Sequence, residues 1–374
     1  MNRTLTVLSG VAALLLAPVA VRADEVVIGA QYPLSGPMAS YSGPFLREGT
    51  GLALERINRD HLLGPGRTLK VMLEDNAGDR NQAISLMSRF ASGNAIAVLG
   101  VYGSFLSLPA APVANDLKMP LLAIAVSDAI SQAGPWSFSM LEPANISMNE
   151  LAKFAVERLH IKNAALVYDR ANDASVRMRD AFANDIKGRG VNIVSVDGIT
   201  AQDTNFEPIA TKIVNEKIDA LFFESVPSVA ANFVIQVRQA GLDPGIRLLT
   251  SGQIGAPIFF NIAGTAAEGI YYAVDYLLDM ANEDNRSFVA AYRDHYHKDP
   301  DQNAAWGYAG TMLLARAISN AGPGADRAKV RDALAALENV PTVLGAGRFS
   351  FRDRKGYYPS VVVQVVKGKP AHVQ

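Results

Sequence analysis

The sequence predicts an α/β protein of two doubly wound parallel-sheet lobes, joined by a hinge that the chain crosses more than once. Three observations predict it. Short β-branched runs alternate with longer amphipathic stretches almost throughout, the pattern of parallel sheets covered by helices on both faces. The alternation falls into two series of four or five strands, and 374 residues fit two such units at roughly 150 residues each. No linker rich in proline, glycine and serine separates the series, so the C-terminal elements must pack onto lobes already made.

In order, Val26 to Ala30 is an apolar run like a strand buried on both faces. The turn-rich Pro33-Leu34-Ser35-Gly36-Pro37 follows, then a helix from Phe45 to Asp60 with Leu46, Gly49, Ala53, Leu54 and Ile57 on one face. Strand Leu69 to Glu74, helix Asn81 to Ala91, strand Ile96 to Leu99, helix Ser107 to Leu117 and strand Leu121 to Ala125 complete the first series. The second reads Asn149 to Leu159 (helix), Ala164 to Tyr168 (strand), Arg177 to Lys187 (helix) and Val191 to Val196 (strand). It continues with Phe206 to Asn215 (helix), Ala220 to Phe223 (strand), Val229 to Ala240 (helix) and Ile246 to Leu249 (strand). Gly269 to Val274 reads as a further strand, ahead of helices at Ser287 to Tyr296, Trp306 to Ala321 and Ala328 to Leu337. Arg348 to Phe351 and Val361 to Val366 are strand-like. In doubly wound lobes the ligand site lies at the carboxyl ends of the strands, here facing the cleft.

Residues 1 to 23 combine Arg3, an apolar stretch from Val7 to Val21 and small residues ahead of Asp24, the signature of a secretory signal peptide. The stretch is interrupted by Pro18 and short of the about 20 residues that a membrane span needs. Asp24, not cysteine, follows the cleavage point, so no lipid anchor is expected and the mature protein should diffuse in a periplasm. A hydrophobic content of 49% excludes a disordered chain. A balance of 35 basic against 36 acidic residues argues against a nucleic-acid partner. Zero cysteines exclude thiol catalysis, zinc ribbons and disulfides.

Catalytic signatures fail on spacing. Gly322-Pro323-Gly324 and Gly345-Ala346-Gly347 lack the later glycine, or the lysine and hydroxyl, of a phosphate loop. Gly103-Ser104-Phe105 lacks the second glycine of a nucleophile elbow. His295 and His297 stand one residue apart on a helical stretch and point to different faces, so they read as surface rather than metal ligands. Glu74, Asp75 and Asp79 follow a strand and precede a helix, and Asp79 or Asn81 is the expected cap. Neither an enzyme nor a cofactor or metal is expected.

Several segments carry a resemblance: Ile28-Gly29-Ala30 with Pro33-Leu34-Ser35-Gly36-Pro37-Met38-Ala39, Gly49, and Leu52-Ala53 leading to Ile57-Asn58. Glu74-Asp75 with Asp79, Leu99-Gly100 with Ser104, Pro109-Ala110-Ala111, Ala240-Gly241-Leu242, Ala267-Glu268-Gly269 and Trp306-Gly307-Tyr308-Ala309 extend it over the mature chain. The chain resembles the substrate-binding proteins of ABC transporters in the branched-chain amino acid (leucine, isoleucine, valine) class, with the type I periplasmic binding fold. The resemblance implies a venus-flytrap receptor with an N-terminal lobe of residues 24–142 plus 275–346 and a C-terminal lobe of 143–274 plus 347–374. It implies that a ligand carboxylate is held by Ser104 and by Ala125, Val126 and Ser127, where a hydroxyl and backbone N–H groups can cradle an anion. Helix capping is the alternative role for Ser104. Tyr41 matches the aromatic lining the apolar side, and Tyr102 and Phe105 could add flat surfaces.

Three departures bear on the ligand. The acidic residue that pairs with an amino acid's ammonium in the family would follow Thr250, where Ser251-Gly252-Gln253 stands, placing Gln253 at the site. Asp173-Ala174 replaces a tyrosine and glycine, and Glu224-Ser225 replaces an aromatic. Since an unpaired ammonium in a closed cleft costs several kcal/mol, either Asp173 or Glu224 replaces the acid or the ligand lacks an ammonium, as an aromatic or aliphatic organic acid would. The expected partners are the small ligand and a membrane permease, with the protein a monomer. A ligand-sensing receptor coupled to a signalling partner is the alternative.

Overall fold

The computed structural model describes residues 24–373 apart from 281, 346 and 359, so the expected signal peptide lies outside the described residues. The first series forms β1 (Asp24–Tyr32), α1 (Gly43–Arg59), β2 (Arg67–Asp75), α2 (Arg80–Ser92), β3 (Val98–Gly100), α3 (Ser104–Asp116), β4 (Leu121–Ala123), α4 (Asp128–Gln132) and β5 (Ser137–Ser139). The second forms α5 (Ala144–Glu157), β6 (Asn163–Asp169), α6 (Asp173–Gly188), β7 (Asn192–Ile199), α7 (Glu207–Val214), β8 (Ala220–Glu224), α8 (Pro227–Gln239), β9 (Arg247–Thr250), α9 (Pro257–Ala263) and β10 (Tyr271–Val274). The chain ends with α10 (Glu283–Tyr296), α11 (Gln302–Ala321), α12 (Arg327–Ala335), β11 (Val340–Pro341), β12 (Arg348–Arg352), β13 (Lys355–Tyr357), β14 (Val361–Val366) and β15 (Lys369–His372).

These strands make two sheets, in the orders β11-β12-β13-β5-β4-β3-β1-β2 and β15-β14-β10-β9-β8-β6-β7. β1 to β5 pair in parallel, as do β6 to β10, because a helix returns the chain to the same end after each strand. The sheets are nevertheless mixed. The C-terminal hairpins β11-β12, β12-β13 and β14-β15 are antiparallel, as is the β10-β14 pair. One correction concerns the lobes: β12 and β13 pair within the first sheet, β13 lying beside β5, so the expectation that everything from 347 joins the second lobe fails for these strands. The chain thus passes between sheets three times: between β5 and α5, between β10 and α10, and between β13 and β14.

The first lobe is closed by α1 packed on α11. Gly49 and Gly307 are required there, because a Cβ would lie 1.9 Å from the Ala304 oxygen at Gly49 and 2.2 Å from the Leu46 oxygen at Gly307. The acidic cluster is scaffolding. Asp79 caps α2, accepting from the Gln82 N–H at 2.8 Å. Asp75 accepts the backbone N–H groups of Leu34, Ser35 and Ala77, which hold its pKa below the ordinary carboxylate value against burial. Glu74 pairs with Arg89 at 2.9 Å.

Candidate functional site

Both sheets turn their carboxyl strand ends towards one cavity of about 150 Å³, which admits a small organic molecule. In each sheet the strand order reverses there, between β1 and β3 and between β6 and β8, which opens a crevice. The first lobe contributes Tyr41, Tyr102, Ser104, Phe105, Ala125 and Val126 to its wall, and the second contributes Asn172, Ala174, Ser251 and Gln253.

The β3–α3 turn has a backbone that few residues adopt. Gly100, Val101 and Gly103 all have positive φ, of 104°, 53° and 82°. A β-branched residue in the left-handed region is strained, and Val101 is held there by its N–H to the Gln31 oxygen at 3.1 Å and by the Ser107 hydroxyl on its carbonyl. The turn delivers Ser104 as the first residue of α3, buried, with its Oγ bonded to nothing. Gly103 is the N-cap residue, so the capping role considered for Ser104 is not the one it has.

Tyr102 tilts against Trp306, ring centroids 6.2 Å apart. Burial pushes the Tyr41 hydroxyl up to about 12, and the Tyr41 carbonyl accepts from Asn303. Phe105 stands at the rim, 42% exposed, beneath the Arg80 guanidinium at 3.6 Å. Ser127 is off the wall but fully buried beside Val126, and its Oγ too has no partner.

The two candidate acids part company. Asp173 is exposed in the first turn of α6, outside the cavity wall, because Asn172 takes the cap position and turns the next side chain to solvent. Glu224 is buried behind Ser251, whose N–H it accepts at 3.2 Å; burial raises its pKa to about 7. It does not itself line the cavity.

Sequence reasoning missed two carboxylates that do. Glu142 and Asp275 stand on the first and second crossovers, at the expected lobe boundaries 142/143 and 274/275, and both line the cavity with Trp306 and Ser360. The boundary positions were the available signal. Glu142 accepts the Ser360 hydroxyl on Oε2, its Oε1 has no partner, and burial lifts its pKa to about 8. No lysine, arginine or histidine among the described residues lines the cavity. His295 is half-exposed near Glu55, and no cluster of three potential metal ligands occurs among the described residues.

Two α/β lobes with a cleft at their strand ends define a periplasmic binding protein of type I fold. The chain belongs to the periplasmic binding protein family, which it matches over residues 25–370. Among its relatives is the leucine-, isoleucine-, valine-, threonine- and alanine-binding protein of Pseudomonas aeruginosa, 24% identical over 89% of this chain and 87% of that one. The leucine-specific-binding protein of Salmonella typhimurium is 25% identical over 94% of both chains. In structure, the chain is similar to the branched-chain amino acid transporter substrate-binding protein LivJ of Streptococcus pneumoniae in complex with isoleucine. That match has a TM-score of 0.83 at 23% identity, over 93% of this chain and 98% of that one. The leucine-binding protein LivK of Thermotoga maritima gives 0.84 at 24% identity, with the same coverage. These relatives are named as binding proteins, not as enzymes.

Proposed function

We propose that the protein is the extracytoplasmic solute-binding component of an ABC uptake system. It closes around a small amino acid with an apolar body and passes it to a membrane permease. The observation that carries this reading is the unpartnered, buried Ser104 hydroxyl at the start of α3, inside a cavity walled by both lobes. A hydroxyl with nothing to bond, next to the free N–H groups of a helix start, suits a carboxylate. Ala125 and Val126 extend that cradle with Ser127 buried behind them, Tyr41 and Tyr102 supply the apolar wall, and Gln253 reaches from the second lobe. A dianion or an aromatic acid alone is the poorer fit, because among the described residues the cavity is lined by carboxylates and by no cationic side chain.

Closure is a population shift: the ligand touches both lobes only in the closed form and stabilises that form by its differential affinity. Export by residues 1 to 23 to the periplasm, without a lipid, belongs to the same reading; among the described residues no helix is long and apolar enough to cross a membrane.

The test is mass spectrometry of small molecules released on denaturing the purified protein, beside a thermal-shift screen. A true ligand at a hundred times its dissociation constant adds about 2.7 kcal/mol, a shift of a few degrees. Failure of every amino acid and organic acid to move the midpoint would overturn the reading.

A further inference from the structure

The three crossovers meet at one knot of polar groups, in which Glu142 and Tyr358 are buried and Asp275 and Ser360 half-buried. On the first, the Glu142 backbone N–H donates to the Tyr358 hydroxyl of the third at 3.1 Å. That hydroxyl donates to Asp275 Oδ2 of the second at 2.9 Å, and the Ser360 hydroxyl, also of the third, donates to Glu142 Oε2. Glu142 therefore has one carboxylate oxygen tied into the hinge. The other, Oε1, is buried without a partner in a side chain that is 4% exposed and lines the ligand cavity. A buried acceptor with no donor, in a cavity that no cationic side chain lines among the described residues, calls for a donor from the ligand.

We infer that Glu142 receives the ammonium group of the ligand, so that the counter-charge of this cleft stands on the hinge and not on the second lobe. The inference rests on the proposed function, and it names the ligand as a molecule with a carboxylate, a protonated amine and an apolar body. The alternatives are worse placed: Asp173 is in solvent, and Glu224, whose Oε1 also has no partner, stands behind the wall rather than on it, with its Oε2 on Ser251 and Thr250. Asp275 has its Oδ2 taken by Trp306 and Tyr358. Because Glu142 is also part of the knot, filling its free oxygen acts directly on the segments that bend as the lobes close.

The groups that face Glu142 are Asp275 and Tyr358 from the other crossovers, Ser360, and Glu150 from α5, none of them cationic. Burial, opposed by the Ser360 hydrogen bond and reinforced by Asp275 and Glu150, raises its pKa to about 8. At pH 7 the empty site thus holds a proton, which an arriving ammonium displaces to solvent.

The probes are L-leucine and 4-methylpentanoate, the same body without the amine, titrated calorimetrically into the full mature chain in buffers of differing ionisation enthalpy. Wild type should bind leucine with release of most of one proton at pH 7. E142Q, isosteric with the protonated acid, should bind leucine at least tenfold more weakly with that release lost, and bind 4-methylpentanoate no more weakly than wild type does. S360A, which removes only a hydrogen bond, should weaken leucine by a smaller factor and keeps the test open if E142Q fails to fold. Equal leucine affinity in E142Q and wild type, equal weakening of both probes, or loss of proton release in E224Q instead of E142Q would each overturn the inference. So would wild-type protein that binds 4-methylpentanoate and not leucine, although the solute-binding function would then stand. If the thermal-shift screen finds no ligand at all, that function falls and takes the inference with it.

Discussion

Trp306 donates its indole N–H to Asp275 Oδ2 at 2.7 Å, linking α11 of the first lobe to the crossover that leaves the second sheet. The acceptor is half-buried at the cavity wall, and its partial removal from water raises its pKa against the donors Trp306 and Tyr358. Removing one donor leaves this partly desolvated carboxylate short of a hydrogen bond to a charged group. Trp306→Phe keeps most of the ring packing against Tyr102 and should cost about 1–3 kcal/mol in the unliganded protein. Urea denaturation checks this, and an unchanged midpoint would show that the bond contributes nothing.

Stability should fall as pH rises from 5 to 8. Glu142, Glu224 and Asp301 have pKa values raised by burial to about 8, 7 and 6. Groups with raised folded pKa values bind more protons folded than unfolded, so their contribution is complete below the ordinary carboxylate range, near pH 4, and drains away as pH climbs through the folded values. Calorimetric melting of the unliganded chain at pH 5 and pH 8.5 should give the lower midpoint at pH 8.5. The drop should shrink in the double variant E142Q/E224Q, and an equal drop in both proteins would contradict the assignment.

Ser104→Ala should separate binding from folding. Its hydroxyl has no partner in the unliganded protein and caps nothing, so the apo melting temperature should stay within about a degree. Losing a hydrogen bond to a charged carboxylate, worth about 1.5–3 kcal/mol, should weaken L-leucine roughly 10-fold to 150-fold by calorimetry. A large fall in apo stability with intact affinity would return Ser104 to a structural role.

Gly49→Ala should be among the most damaging single-methyl changes in the first lobe. The added Cβ would lie 1.9 Å from a backbone oxygen of α11, and neither helix backbone can swing aside as a flexible side chain could. Overpacking of this kind costs about 1–3 kcal/mol or more. A Gly51→Ala control, one turn position away with only the Tyr296 hydroxyl at 3.5 Å, should be close to neutral. Equal urea midpoints for the two variants would refute the close helix contact.

Much of the cavity wall was legible because it is local. Ser104 and Tyr102 flank a glycine directly after a strand, and Ala125 and Val126 follow the next strand, positions that a doubly wound sheet turns towards its ligand. Asp173 was placed in the site by its position after β6, but α6 begins at that residue, and helix geometry turns its side chain out. Glu142 and Asp275 were passed over for a different reason: only their positions at the expected lobe boundaries pointed to them, their partners Tyr358, Ser360 and Trp306 are distant in sequence, and no periodicity marks a residue placed by a crossover.

The alternation of β-branched and amphipathic segments by itself determined two doubly wound lobes, a cap at Asp79 or Asn81 and the strand ends that face the cleft, because each depends on residues within a turn or two of one another. Only the tertiary structure decided that β12 and β13 complete the first sheet, that the lobes are knotted through Glu142, Asp275 and Tyr358, and that the carboxylate facing the cleft stands on the hinge. Those features depend on burial and on hydrogen bonds between crossovers, with Glu142 and Tyr358 separated by 216 positions in the chain. The free energy that places such groups comes from removing them from water together, and no stretch of sequence read singly contains it.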